Sequence, residues 1–172
     1  DEYLDTLAEK YATSARLAVE AGFDGVDVKS CHGYLFQELL SAFAREGRYG
    51  GSFENRTRLF LDCFRAVKAA IPAHILLTAR LSVSDMVPKP YGFGTTEENV
   101  LDLDEPDRLI GMLVSEGLQM LNVTVGNPYY NPHVNRPYDN GGYEPPEERL
   151  VGVERLINAG MLDYVAMDIK NS

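Results

Sequence analysis

Very few patterns that announce familiar chemistry occur in this chain. Only two cysteines, Cys31 and Cys63, stand in 172 residues. Two do not make a disulfide framework, and each reads first as a buried or merely tolerated thiol. Neither a CxxC pair nor HExxH occurs, so the sequence predicts no metal site. A GxGxxG turn after a strand, a GxxxxGK[ST] phosphate loop and a GxSxG elbow are also missing. No apolar run approaches the roughly 18 to 20 residues needed to cross a bilayer. The opening "DEYLDTLAEKYATSARL" is acidic and amphipathic, unlike a signal or transit peptide. Basic residues are in deficit, 16 against 26 acidic ones, for a formal net charge of −10. That balance favours solubility and disfavours nucleic acid or anionic lipid as a partner, while leaving room for a local basic pocket that takes an anionic cofactor. The expectation is a soluble, cytoplasmic protein with a small-molecule substrate and no nucleic-acid or membrane partner.

What is present is a globular pattern. Apolar residues make up 45% of the chain and aromatic ones 10%, and the length suits a single domain over residues 1–172. Helical spacing of Leu4, Leu7, Ala8, Tyr11, Ala12, Ala15, Leu17 and Ala18 predicts a helix over 3–21, stopped at Gly22. Phe23, Val26 and Val28 mark a short strand. Residues 34–44 read as a helix and "GRYGGS" as a loop. Ser52 or Asn55 can cap a long amphipathic helix that runs to about Ala70 and is closed by Pro72. "HILLTARLSV" reads as a buried strand, 107–117 as a helix and "LQMLNVTVG" as a third strand. The turn-rich segment 127–149 precedes a helix over 150–160 and a strand over 161–169.

Strands alternating with helices imply parallel strands and helical crossovers, hence an α/β fold. A doubly wound sheet of four or five strands suits the length. A (β/α)8 TIM barrel needs roughly 250 residues, so this chain could supply only about half of one. In both architectures the chemistry gathers at the carboxyl ends of the strands. Lys29 to Tyr34, Arg80 to Asp85 and Gly126 to Tyr130 all fall there.

Each residue has two readings on its own chemistry. Tyr34 can give a proton to a developing carbanion, or pack as a hydrophobe at a helix start. His32 can hold a substrate carbonyl, or cap a surface turn. Lys29, ending a buried strand, either pairs with a carboxylate such as Asp27 or faces a pocket holding negative charge. Arg80, inside an apolar strand, needs a carboxylate, a phosphate or an electron-rich ring beside it. His74 and His133 read as solvated, and the acidic run 97–107 as a solvated loop and helix start.

Residues 21–70, "AGFDGVDVKSCHGYLFQELLSAFAREGRYGGSFENRTRLFLDCFRAVKAA", resemble the old yellow enzyme group of NADH:flavin oxidoreductases, which includes 2,4-dienoyl-CoA reductases. The shared frame is a "GFDGV" strand, H-x-x-H/N-G-Y-L, a helix, "YGGS-ENR" and a long helix. "RLS" at 80–82, "YGFG" at 91–94 and the strand ending "VTVGNP" extend the similarity to about residue 155. The resemblance implies a partial (β/α)8 TIM barrel, about strands 4 to 6 plus one terminal strand. It implies FMN as cofactor, NADH or NADPH as reductant, and reduction of activated alkenes such as enones or enoyl thioesters. By position, Tyr34 matches the proton-donating tyrosine and His32 the second member of the oxygen-holding His/His or His/Asn pair. Arg80 matches the arginine near the flavin's N1/O2 edge. Glu54, Asn55 and Arg56 fit a structural role, bracing a loop and capping a helix.

Lys29 stands where the family has the first histidine of that pair; an ammonium can still donate to an oxyanion. Leu-Ser-Ala at 40–42 replaces the family's Leu-Ser-Pro. The resemblance begins at the helix before the fourth barrel strand, which implies a fragment of the family's barrel. Residues 156–172 are an atypical tail without the family's Gly-Arg phosphate segment. "DYVAMDIKNS" resembles a strand of radical-SAM activating enzymes, though their CxxxCxxC motif is absent. Two further expectations follow: self-association through exposed barrel edges, or, as an alternative to catalysis, a non-catalytic α/β scaffold or interaction module without the flavin site.

Overall fold

The computed structural model describes residues 1–130. In chain order the elements are α1 (Glu2–Asp5), α2 (Leu7–Glu20), β1 (Gly25–Ser30), α3 (Leu35–Leu40), α4 (Phe53–Ala70), β2 (Leu76–Ser84), α5 (Asp104–Ser115) and β3 (Met120–Val125). The three strands form one parallel sheet in the order β1-β2-β3. Spatial order following chain order, with a helical crossover at each step, is how consecutive barrel strands run. A doubly wound sheet reverses direction at a switch point. Three strands in this order fit a stretch of barrel wall and contain no switch point. The expected helix over 150–160 and strand over 161–169 lie outside the described residues.

Local chemistry accounts for the boundaries. The helix expected over 3–21 is broken at Thr6, whose hydroxyl and N–H both donate to the Tyr3 carbonyl, at 2.8 and 3.1 Å; such side-chain bonds compete with helix continuation. β1 starts at Gly25, so Phe23 lies outside the strand and is exposed. α3 stops at Leu40 instead of running to 44, because its terminal carbonyls find other donors. The Arg56 guanidinium takes Leu40 O, and Gly51 N–H takes Ala42 O at 3.0 Å. Ser52 caps α4 by accepting Asn55 N–H at 3.3 Å. At its other end Ile71 is extended ahead of Pro72, as a pre-proline residue favours.

Alternation along the strands gives the sheet two unlike faces. Val28, Leu77, Ala79, Leu81, Val83, Val123 and Val125 are buried on the helix side, where α2 and α4 supply Leu7, Ala15, Leu59, Phe60 and Phe64. Burying each of those phenylalanines stabilises the fold by roughly 1.5–3 kcal/mol. The opposite face carries Asp27 and Lys29, Thr78 and Arg80, and Met120 and Asn122. The register sets Asp27, Thr78 and Met120 in one row and Lys29, Arg80 and Asn122 in the next.

Arg56 joins the helical layer to the loops. It is buried, donates to Gly51 O at 2.9 Å, pairs with Glu105 at 2.5 Å and lies 4.0 Å from the centre of the Phe43 ring.

Candidate active site

β1 ends at Ser30, and the chain turns through Cys31, His32 and Gly33 before Tyr34 opens α3. His32 and Gly33 both adopt left-handed backbone, with φ of 61° and 69°. For histidine that conformation is uncommon and must be held by its surroundings. Glycine is required at 33 on a second count, since a Cβ there would come within 2.8 Å of the Tyr129 ring.

The turn sets the Tyr34 phenol at the carboxyl end of the sheet, 52% exposed. The Lys29 ammonium lies over the face of its ring, 4.0 Å from the centroid. Lys29 thus follows neither course expected of it in full. Among the described residues it makes no ion pair, and Asp27 is engaged elsewhere: its carboxylate accepts the Thr78 hydroxyl at 2.8 Å and faces Arg80 at 4.0 Å. A cation over a ring face is attracted by the ring quadrupole and keeps its N–H donors for a further oxygen.

Arg80 is one-third exposed rather than buried, and its guanidinium faces the Asp27 carboxylate at 4.0 Å. It sits beside Lys29 in the register, so two cations occupy adjoining positions on one face. The structure brings Lys29, Tyr34 and Arg80 to one side of one sheet, with His32 in the connecting turn. Exposed His74 lies at the other end of β2, and His133 lies outside the described residues.

Tyr129 does not stand out as a site residue in the sequence. Its hydroxyl lies 3.5 Å from that of Tyr34, and the rings meet edge to face at 6.5 Å. Asn127 sets this approach by accepting Tyr129 N–H at 3.0 Å. The available signal is position alone, because Gly126 to Tyr130 follow the third strand. Gln37 and Asp85 are likewise not marked as a pair by the sequence. Gln37 accepts Gly33 N–H and donates to the Asp85 carboxylate, whose other oxygen accepts Phe93 N–H at 2.8 Å.

The two thiols are both buried. Burial pushes Cys31 up to about 11 and Cys63 up to about 12, so both are un-ionised near neutrality. Among the described residues no group of His, Cys, Asp or Glu is placed to hold a metal. No helix there is long and apolar enough to cross a membrane.

The structure is thus a parallel stretch of barrel wall with a tyrosine, a lysine and an arginine at its carboxyl side. Residues 2–126 match the NADH:flavin oxidoreductase / NADH oxidase family, and the chain belongs to it. The 4,4'-dithiodibutanoate disulfide reductase of Rhodococcus erythropolis is 31% identical over 121 residues, 69% of this chain and 30% of that protein. Rice (Oryza sativa subsp. japonica) 12-oxophytodienoate reductase 1 is 43% identical over 70 residues, 40% of this chain and 18% of that one. Among solved structures, the old yellow enzyme homologue from Zymomonas mobilis superposes with a TM-score of 0.56 at 28% identity, covering 74% of this chain and 34% of its own. A morphinone reductase variant in complex with tetrahydroNAD gives 0.55 at 27%, covering 72% and 32%. The chain thus spans less than half the length of these relatives. The fold they share is the TIM barrel, and the cofactors that go with the family are FMN and a nicotinamide.

The polar face suits a flavin. Barrel interiors are usually filled by branched apolar side chains, yet here the interior rows hold Lys29, Arg80 and Asn122. The buried Asn122 Oδ1 has no hydrogen-bond partner among the described residues, so it is an acceptor that an N–H at a ring edge could satisfy.

Proposed function

We propose that this chain supplies the substrate-facing wall of an FMN-dependent oxidoreductase that reduces activated alkenes, enones or enoyl thioesters, with NADH or NADPH. The observation that carries the reading is the half-exposed Tyr34 hydroxyl at the carboxyl end of the sheet, with the Lys29 ammonium over its ring. FMN, when bound, supplies the hydride chemistry and is recharged by the nicotinamide. Lys29 and His32 hold the substrate's activating oxygen and stabilise the negative charge that grows there. Tyr34 Oη delivers a proton to the carbon beside the activating group. Tyr129 Oη reaches Tyr34 Oη and keeps that phenol turned to the pocket. Arg80 and Asn122 would hold the flavin's polar edge, Arg80 placing a fixed cation near it.

Titration of the chain with FMN, followed by flavin fluorescence and visible absorbance, tests the cofactor. A saturable change is expected, and none at tens of micromolar would sink the claim for this chain. With flavin bound, Tyr34→Phe should slow alkene reduction by about 10²–10⁴-fold and leave flavin reduction by nicotinamide unchanged. Equal slowing of both half-reactions, or of neither, removes Tyr34 as proton donor.

The same reading includes self-association. β1 pairs only with β2 among the described residues. A cavity of about 440 Å³ lined by Tyr11, Ala15, Ala18, Phe23, Val26 and Val28 lies between α2 and β1. An unpaired strand with apolar surface beside it favours pairing with a second barrel segment. Mass measured by light scattering should exceed that of the monomer; a stable, colourless monomer would favour the scaffold reading instead.

A further inference from the structure

Gln37 and Asp85 are both almost wholly buried, at 1% and 3% exposure. Every hydrogen bond between them has a fixed direction. Gly33 N–H can only donate, so the Gln37 oxygen must face the turn and its NH2 must face Asp85. Phe93 N–H can only donate as well, and it meets the second Asp85 oxygen. Two N–H donors therefore converge on one side chain, which the Ser82 hydroxyl also meets, and an ionised carboxylate satisfies them all. An asparagine at 85 would turn an NH2 against one of them. We infer that Gln37 and Asp85 are positioning residues: a one-directional buried relay holds the left-handed His32–Gly33 turn against the loop that follows β2.

The catalytic meaning of that role rests on the function proposed above, but the relay itself does not. His32, at φ 61°, needs an external restraint, and the relay grips the adjacent Gly33 amide. Asp85 N–H also donates to Phe93 O at 2.9 Å, so the anchoring loop is paired with Asp85 in both directions. The only ionisable side chain among the described residues that bears on Asp85 is Glu38 of α3, which acts with burial to raise it to about 6. The bonds from Phe93 N–H, Gln37 and the Ser82 hydroxyl all favour the ionised carboxylate, so protonation weakens the relay and acid should release the turn.

Amide exchange at single residues, read by NMR on the full chain near pH 7.5, tests this with neither flavin nor substrate. Asp85→Asn and Gln37→Glu should each speed exchange at Gly33 by about tenfold or more, the scale of one lost buried hydrogen bond, while Phe60 and Phe64 in α4 stay protected. The double variant, Gln37→Glu with Asp85→Asn, reverses the polarity of the central bond and again gives every donor an oxygen. It should restore Gly33 protection. In the parent chain, protection of Gly33 corrected for intrinsic exchange should fall as pH drops through about 6. If single variants fail to fold, a folded and protected double variant supports the relay equally well. A double variant no better than the worse single, or Gly33 exchange indifferent to both singles and to pH, overturns the relay. Failure of FMN to bind leaves the exchange result standing and removes only the functional reading.

Discussion

The two faces of one sheet, three strands wide, obey opposite rules. On the helix side the positions are apolar but for Ser30, and they pack against α2 and α4. On the other side polar and charged residues stand in register, and part of their hydrogen-bonding capacity remains unused among the described residues. The arginines make the contrast concrete. Arg56, in the helical layer, spends its donors on Leu40 O, Gly51 O and Glu105 and stacks on Phe43. Arg80, on the polar face, faces the Asp27 carboxylate at 4.0 Å and is one-third exposed. A buried cation with short bonds to carbonyls and a carboxylate holds a structure together; a one-third exposed cation on a polar surface can still be reached from the sheet's open side. The helix side thus carries stability, and the polar side is the face to which the proposed function assigns the flavin.

The sharpest way to break that division is to cut into the helix side. Phe64 is fully buried in the α2–α4 layer, so Phe64→Ala should cost about 3–5 kcal/mol, read as a shift in the urea midpoint. Arg56→Ala should cost about 3 kcal/mol, because it strands buried carbonyls and leaves Glu105 without its partner. An Arg56→Ala variant as stable as the parent would show that the guanidinium network is dispensable and that the two faces do not differ in this way.

Asp85 lies between the two regimes, buried like a core residue yet bound to the active-site turn. Burial raises its carboxyl from 3.8 to about 6, with Glu38 adding a smaller push. A group whose folded value lies above its unfolded one takes up a proton on folding. Its contribution to stability is therefore complete below about pH 4 and lost as pH rises to about 6, on the order of 2–3 kcal/mol in all. Stability measured between pH 4 and pH 7 should fall more steeply in the parent than in Asp85→Asn. The ionised carboxylate thus costs stability near neutrality while it secures the turn. Identical slopes would mean that Asp85 titrates as an ordinary surface acid.

How much of this could be read from residues follows the same division. α2 and α4 are legible because their apolar spacing is set by the helix-side core, and capping is local enough to narrow the cap to Ser52 or Asn55, of which the structure takes Ser52. The break at Thr6 and the early stop of α3 are not legible. The first depends on one hydroxyl turning back to Tyr3 O, and the second on Arg56, sixteen residues away, taking Leu40 O. Lys29, His32, Tyr34 and Arg80 were singled out through motif and resemblance, and the sheet carries Lys29 and Arg80 in adjoining register positions. The Lys29–Tyr34 stacking could not be read, because spacing says nothing of where a long side chain lies. Tyr129 and the Gln37–Asp85 relay escaped because each joins loops far apart in the chain, and no local pattern records such a contact.

The smallest expected effect on stability is also the most telling. Arg80→Met keeps the side-chain stem on the polar face and removes the charge. The lost pair is long and solvent-reached, the kind worth about 0–1 kcal/mol. Asp27 keeps the Thr78 hydroxyl at 2.8 Å and is itself partly exposed, so no buried charge is stranded. Loss of that pair should move unfolding by no more than about 1 kcal/mol, in contrast with Arg56→Ala in the same protein. If the polar face is where a flavin rests, the same substitution should weaken FMN by about tenfold or more, the loss of one charge-assisted hydrogen bond, with Arg80→Lys recovering part of it. A large loss of stability together with unchanged flavin affinity would reverse the contrast between the faces and make Arg80 a second Arg56, a structural cation on the wrong side of the sheet.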